Sequence, residues 1–208
     1  MRVNPMERME RLIAKESMLW ARGQRCAGID EVGRGPLAGP VMAGCVIMAA
    51  DALIPGVDDS KKLSAKRRAA LSPLIVEGAG FAGVGSVSAA DIDELGIAMA
   101  TRRAMELAAR GANADVYLVD AVTGLELPGE IISIVHGDAT SYLIAAASIV
   151  AKVARDTYME ELDAQYPMYG FARHKGYGTA AHIAALREYG PCPEHRRGFI
   201  RGILGAGA

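Results

Sequence analysis

The sequence predicts an α/β fold in which a mixed sheet of about five strands is flanked by helices. Three observations predict it. Strand-like runs cluster before Ala89, and helix-like and strand-like runs alternate after it, an order that a mixed sheet with crossover helices accommodates. Two short apolar runs, Ala27-Gly28-Ile29 and Val116-Tyr117-Leu118-Val119, each end in an aspartate, as strands do at the ligand-binding rim of an open sheet. A chain of 208 residues with 51% hydrophobic side chains suits one domain with a proper core.

The elements follow in order. Met6 to Trp20 has helical spacing, with Met9, Leu12, Ile13, Leu19 and Trp20 on the apolar side, and stops before Gly23. It reads as a peripheral amphipathic helix ahead of the core. Cys26 to Asp30 and Val41 to Ala49 read as strands joined by a Gly/Pro turn. Ser64 caps a helix from Ala65 to Leu71 or beyond, and Phe81 to Ser88 alternates as a third strand. Two helices broken near Gly96 fill Ala89 to Arg110. Val116 to Val119 and Ile131 to Val135 are short strands, Thr140 to Gln165 is a long helix, and Thr179 to Tyr189 is another. Pro191-Cys192-Pro193 reads as a break before a short tail.

Composition narrows the class. The cysteines Cys26, Cys45 and Cys192 are scattered without CxxC spacing, which argues against a disulfide framework or zinc module and for a reducing cytoplasm. No stretch reads as a membrane span, and the charged N-terminus lacks the apolar core of an export signal. Net charge is −1, from 23 basic and 24 acidic residues, so any nucleic-acid contact must rest on local patches. Lys61, Lys62, Lys66, Arg67 and Arg68 form one. From Gly170 onward, six Lys/Arg and three His meet only Glu188 and Glu194 and form the other. Either patch also fits a solvated surface.

The chemistry centres on CAGIDEVGRGPLAGPV, from Cys26 to Val41. Asp30 and Glu31 can share a site only where strand pleating ends, and Val32-Gly33 supplies such an ending. Alone, the pair reads equally as a strand end with one exposed acid. Asp120 ends a neighbouring strand at the same rim, and Asp138 ends a third segment, either as a helix N-cap or at that rim. Oxygen-only ligands suit Mg²⁺ or Mn²⁺, and two such ions roughly 4 Å apart could bind the attacking water and leaving oxygen of a phosphodiester. Backbone N–H groups of Gly33-Arg34-Gly35 could touch a sugar or phosphate. Ser148, Lys152 and Asp156 share one helix face, as a simple Lys–Asp pair or as a polar stripe along the rim. Tyr177, between two glycines in a basic stretch, could stack on a base or sugar, or simply pack.

Six segments together resemble the bacterial ribonuclease HII family of RNase H-like nucleases. They are DEVGRGPLAGPV at Asp30, DDSKKLS at Asp58, LVDA ending in Asp120-Ala121, HGDATSYLIAAASIVAKVARD from His136, HKGYGTAAH from His174, and GPCPEHRRGF from Gly190. They occur in the family's order and span Cys26 to Phe199. The resemblance implies an RNase H-like fold with a helical C-terminal segment. The catalytic domain would span residues 25–200, after a helical extension (1–24) and before a short tail (201–208). It implies that Asp30, Glu31, Asp120 and Asp138 are the acidic active-site residues and hold two Mg²⁺ or Mn²⁺ ions. It further implies that Gly33, Arg34 and Gly35 sense the ribose 2′-hydroxyl at an RNA–DNA junction and that Tyr177 stacks on the following deoxyribose. Lys61, Lys62, Ser148 and Lys152 complete the expected substrate-binding set. His136 stands where many relatives carry Lys.

The activity so implied is metal-dependent endoribonucleolytic cleavage of the RNA strand of RNA–DNA hybrids, and of ribonucleotides embedded in duplex DNA, leaving 5′-phosphate and 3′-hydroxyl ends. Nothing in the sequence demands more than a monomer. Two rivals share parts of the pattern. A junction resolvase-type nuclease would share the acidic rim but gives no reason for the glycine turn plus Tyr177. A non-catalytic hybrid-binding module would not need all four carboxylates.

Overall fold

The structure, a computed structural model, describes residues 4–204. Strands β1 (Cys26–Val32), β2 (Val41–Ile47) and β3 (Phe81–Val87) form an antiparallel meander, and β4 (Val116–Asp120) and β5 (Glu130–Ile134) extend it in parallel from β1. The sheet order is β3-β2-β1-β4-β5, so the expected mixed five-stranded sheet is present with β1 at its centre. Alternation sends Cys26, Val116 and Leu118 to one face and Ala27, Ile29, Tyr117 and Val119 to the other, each into its own apolar cluster.

The helices cover both faces. Helices α1 (Pro5–Leu12), α2 (Ala14–Trp20) and α3 (Ala65–Gly78) lie on the first face. Helices α4 (Ala89–Leu95) and α5 (Ile97–Ala108) cover the second with Ile92, Ala100, Ala104 and Ala108. After the short α6 (Gly137–Thr140), the 24-residue α7 (Tyr142–Gln165) crosses the first face. It sits unusually close because Gly28 and Gly44 offer no side chain. A Cβ on Gly28 would lie 2.1 Å from the Leu143 carbonyl carbon, and one on Gly44 2.4 Å from the Ala147 oxygen. Every residue from Tyr142 to Ala151 is consequently buried. The far half of α7 carries α8 (Phe171–His174), α9 (Ala180–Tyr189) and a third apolar cluster around Met159, Leu162, Tyr169 and Phe171; α10 (Arg197–Leu204) is the last element of the described residues. No helix among the described residues is long and apolar enough to cross a membrane.

Several expectations need correction. The N-terminal helix breaks at Ile13 and is not peripheral. Leu12 is fully buried in the core, a burial contributing about 1.5–3 kcal/mol. Buried Glu16 accepts hydrogen bonds from the Ser141 hydroxyl and the Leu143 N–H, so it caps the start of α7. That carboxyl is pushed above the ordinary range by burial. Strand β1 runs past Asp30 to Val32 because β2 keeps pairing with it, Glu31 opposite Ala43 and Val32 opposite Met42. Strand β2 ends at Ile47, two residues short of Ala49. Residues 190–196 are no loose break, since Cys192, His195 and Arg196 are all buried. The C-terminal helix continues through Leu204, and the remainder of the expected tail, 205–208, lies outside the described residues.

Candidate active site

Strand register assembles the acids. Ile29 pairs with Val119 across the parallel β1/β4 ladder, so Asp30 and Asp120, one residue further along each strand, stand side by side on the α7 face. Asp138 returns to them through a tight turn after β5. Asp138 does not cap a helix, because α6 starts one residue earlier and its capping position is His136, in the left-handed region (φ 56°). Asp120 Oδ1 accepts the Gly137 N–H at 2.7 Å, which ties that turn to the end of β4. Ala121, next to Asp120, also holds a positive φ of 46°, a strained state for a side chain with a Cβ. One carboxylate oxygen from each of Asp30, Asp120 and Asp138 lies within 4.8 Å of the others.

Glu31 stands outside that trio but lines the same cleft. Its Oε1 accepts from Arg34 at 3.3 Å, while its Oε2 is buried without a partner among the described residues. Burial pushes the Asp30 carboxyl well above the usual range, and Glu31, Asp120 and Asp138 add to this by repulsion. Burial likewise raises Glu31 and Asp120. Besides Arg34 on Glu31, Lys61 touches the acids: its ammonium lies 2.8 Å from Asp138 Oδ2, and that bond lifts its pKa to about 12. Clustered carboxylates, one with an orphaned oxygen, fit a divalent cation with hard oxygen ligands. The donor set excludes a thiolate or imidazole site, so zinc is disfavoured.

Beside the acids lies a shelf built from loops. Gly33, at φ 88°, turns the chain out of β1. A Cβ there would meet the Arg155 Nε at 2.2 Å, so only glycine fits over that guanidinium. Arg196, fully buried, donates to the carbonyls of Gly33 (2.6 Å), Arg34 (2.9 Å) and Gly39 (2.9 Å). Arg155, equally buried, donates to Pro40 (2.9 Å), Ala38 (3.2 Å) and Lys175 (2.9 Å). The Tyr177 ring is 44% exposed and faces the turn; a Cβ on Gly35 would be 3.8 Å from its Cε1. Acids and shelf together enclose a cleft of about 250 Å³.

Most of the expected residues meet there. Asp30, Glu31, Asp120, Gly33, Arg34, Gly35, Lys61, Lys152 and Tyr177 all line the cleft. Lys152 pairs with Asp156 and also borders the cleft, so the pair does not take it away from the rim. Its burial lowers its pKa despite that partner. Ser148 is not brought to the surface. It is 2% exposed, and its hydroxyl accepts from the Ser60 N–H at 3.3 Å, which supports the turn that carries Lys61. Lys62 points elsewhere, 3.8 Å from Asp59 and 3.9 Å from Asp58. Arg68 was expected in a basic patch but not in the substrate-binding set. It lines the cleft and donates to Ser60 and Leu63 carbonyls, and its place in the Lys61–Arg68 basic run was its one sequence signal.

Comparison with known proteins agrees with this arrangement. The family profile described as Ribonuclease HII matches residues 27–202. A ribonuclease HII of Geobacillus thermodenitrificans (strain NG80-2) is 53% identical over 205 residues, covering 96% of this chain and 78% of that protein. Among solved structures, ribonuclease H2 from Pyrococcus horikoshii OT3 superposes with a TM-score of 0.72 at 26% identity, covering 86% of this chain and 97% of that one. The RNase HII in a PCNA complex from Archaeoglobus fulgidus gives a TM-score of 0.70 at 25% identity, covering 83% and 94%.

Proposed function

Because the chain belongs to the ribonuclease HII family and is an endoribonuclease of the ribonuclease H type, we propose that it cuts at ribonucleotides embedded in duplex DNA as well as within RNA–DNA hybrids. The observation that carries this reading is that Asp30 and Asp120 share one cleft with the Gly33–Gly35 turn and Tyr177, while Asp138, outside that lining, clusters with the two aspartates. Chemistry and the sensing of one sugar can then occur on adjacent residues of the substrate strand.

Asp30, Glu31, Asp120 and Asp138 would hold two Mg²⁺ or Mn²⁺ ions, which supply Lewis acidity and neutralise charge at the scissile phosphate. The chain's own residues do the rest. Arg196 engages the carbonyls of the glycine turn from behind, which favours presenting N–H donors toward a ribose 2′-hydroxyl. Tyr177 stacks on the deoxyribose that follows, and Lys61 and Lys152 offer positive charge to the phosphates. In-line attack of water on phosphorus breaks the bond to the 3′-oxygen and leaves 5′-phosphate and 3′-hydroxyl ends. A cytoplasmic site of action fits the three buried free thiols, and a monomer suffices for the cleft.

The direct test is Asp120→Asn on a duplex with one ribonucleotide. Cleavage is expected to fall by on the order of 10²–10³-fold with the fold intact. Undiminished cleavage by the folded variant would remove the acidic cluster from the reaction.

A further inference from the structure

We propose that His182 and His195 form a neutral two-imidazole relay that holds the backbone of Tyr177, and that both are positioning residues for its ring. This rests on the reading of Tyr177 as the substrate-stacking residue and adds what fixes it in place.

Proton positions follow from the two ends of the relay inward. His182 Nδ1 lies 2.9 Å from the Tyr177 carbonyl oxygen. A carbonyl only accepts, so Nδ1 carries the proton, and in a neutral ring Nε2 is then bare. That bare nitrogen lies 3.1 Å from His195 Nε2, which must donate to it. At the far end, the Cys192 N–H donates to His195 Nδ1 at 3.0 Å, which independently leaves the proton of His195 on Nε2. The two ends require the same tautomers. His174, stacked on His182 with ring centroids 4.3 Å apart, is fixed likewise. It accepts from the Gly176 N–H at 3.2 Å and donates to the Tyr169 carbonyl at 2.8 Å.

The relay works only uncharged. A second proton on either ring would set two N–H groups against each other. The surroundings favour neutrality: His182 and His195 are 0% and 1% exposed. The groups that face them are each other, His174, the Cys192 thiol, Arg197, and the rings of Phe171 and Tyr169. Burial lowers both imidazoles, His195 to about 4.

Tyr177 needs such an anchor because it stands between Gly176 and Gly178, where the backbone has least stiffness of its own. Its other ties, Tyr177 N–H to His174 at 3.0 Å and Thr179 N–H to Tyr177 at 2.8 Å, are local. The relay connects Tyr177 itself to residues 192–195, next to Arg196, which clamps the glycine turn. A parallel tie holds its neighbour: the Gly176 carbonyl accepts from the Leu37 N–H at 2.8 Å, and the Leu37 carbonyl accepts from the Arg196 N–H at 2.8 Å. One short loop thus sets the spacing between turn and ring.

The tautomers are read directly by ¹⁵N NMR of the full chain labelled at histidine, at pH 7. His182 is expected as the Nδ1–H form and His195 as the Nε2–H form. An imidazolium at either position, or the opposite tautomer at His182, overturns the relay. Kinetics on a duplex with one ribonucleotide then test its purpose. Tyr177→Ala should raise KM by about tenfold or more. His182→Phe keeps the aromatic packing but removes both bonds, and should raise KM by about fivefold with kcat little changed. His182→Asn, which keeps an amide donor toward the Tyr177 carbonyl, should recover most of that loss. The double variant Tyr177→Ala/His182→Phe should be no worse than Tyr177→Ala. If the two losses multiply, or if Asn is no better than Phe, His182 is structural only. Should His182→Phe not fold, His195→Gln (donor kept) against His195→Met (donor lost) makes the same comparison. A silent Tyr177→Ala overturns the stacking reading itself, whichever tautomers the spectrum shows.

Discussion

The acidic rim and the substrate shelf both take charge out of water, and they resolve it in opposite ways. At the rim, burial and mutual repulsion raise Asp30, and the touching cations Lys61 and Arg34 have side chains that are 77% and 52% exposed. On the shelf, Arg155 and Arg196 are fully buried, and each donates to three backbone carbonyls. The rim relieves its repulsion only in part, through Lys61 and Arg34, until a divalent cation arrives, whereas the shelf satisfies its donors within the fold. Strain is therefore concentrated where the ligand relieves it, and rigidity where one sugar has to be told from another.

The largest effect should come from the shelf. Arg196→Met leaves three carbonyls without their donor and should lower the unfolding free energy by about 3 kcal/mol in urea titrations. A loss under about 1 kcal/mol, the range of a surface ion pair, would erase the contrast. Next comes pH. The folded-state pKa of His195 is lowered to about 4 by burial, below its ordinary 6.5. Its contribution is thus complete above pH 6.5 and is lost as pH falls toward 4. Wild type should lose about 2 kcal/mol more than His195→Gln over that window. Equal slopes in the two proteins would show that the ring is not kept neutral by the fold.

The rim should respond with the opposite sign. Asp30→Asn removes a buried repelling charge, so in the presence of a chelator it should gain about 1 kcal/mol while cleavage is lost. Mn²⁺ at a hundredfold excess over its Kd should then stabilise the wild type by about 2.7 kcal/mol and the variant by much less. A variant that is destabilised in chelator would mean that the rim, too, is internally satisfied.

The two regions were unequally legible in the sequence. Asp30 and Asp120 were readable because each ends a short apolar run, and parallel pairing of two such strands aligns their ends. Gly33–Gly35 and Tyr177 stood out by local composition and by family resemblance. Arg196 and His195 sat in the quoted GPCPEHRRGF segment without a role. Arg196 acts on carbonyls 157 to 163 residues away, and no local pattern encodes such an address. Glu16 was hidden in the same way, as one charge among many in an amphipathic helix until it met Ser141 and Leu143, 125 and 127 residues on. Ser148 shows the limit of periodicity. Spacing placed it correctly on the face of Lys152 and Asp156, but depth along α7 depends on what packs above, here the turn at Ser60.

The smallest effect discriminates two neighbouring lysines at the junction of rim and shelf. Lys61 lines the cleft and touches Asp138, while Lys62 lies outside it near Asp58 and Asp59. Neither should matter to the fold, since exposed pairs contribute about 0–1 kcal/mol. They should differ in binding. A lysine that neutralises one phosphate changes the slope of log K against log[salt] by about 1, whatever the sequence bound. Lys61→Met should flatten the slope for an RNA–DNA hybrid by that amount, and Lys62→Met by less, because its charge is partly engaged by the two aspartates. Equal changes would mean that the hybrid reaches past the cleft to Lys62 as well. An unchanged slope for Lys61→Met would mean that its ammonium stays with Asp138 when substrate is bound, and that it belongs to the rim alone.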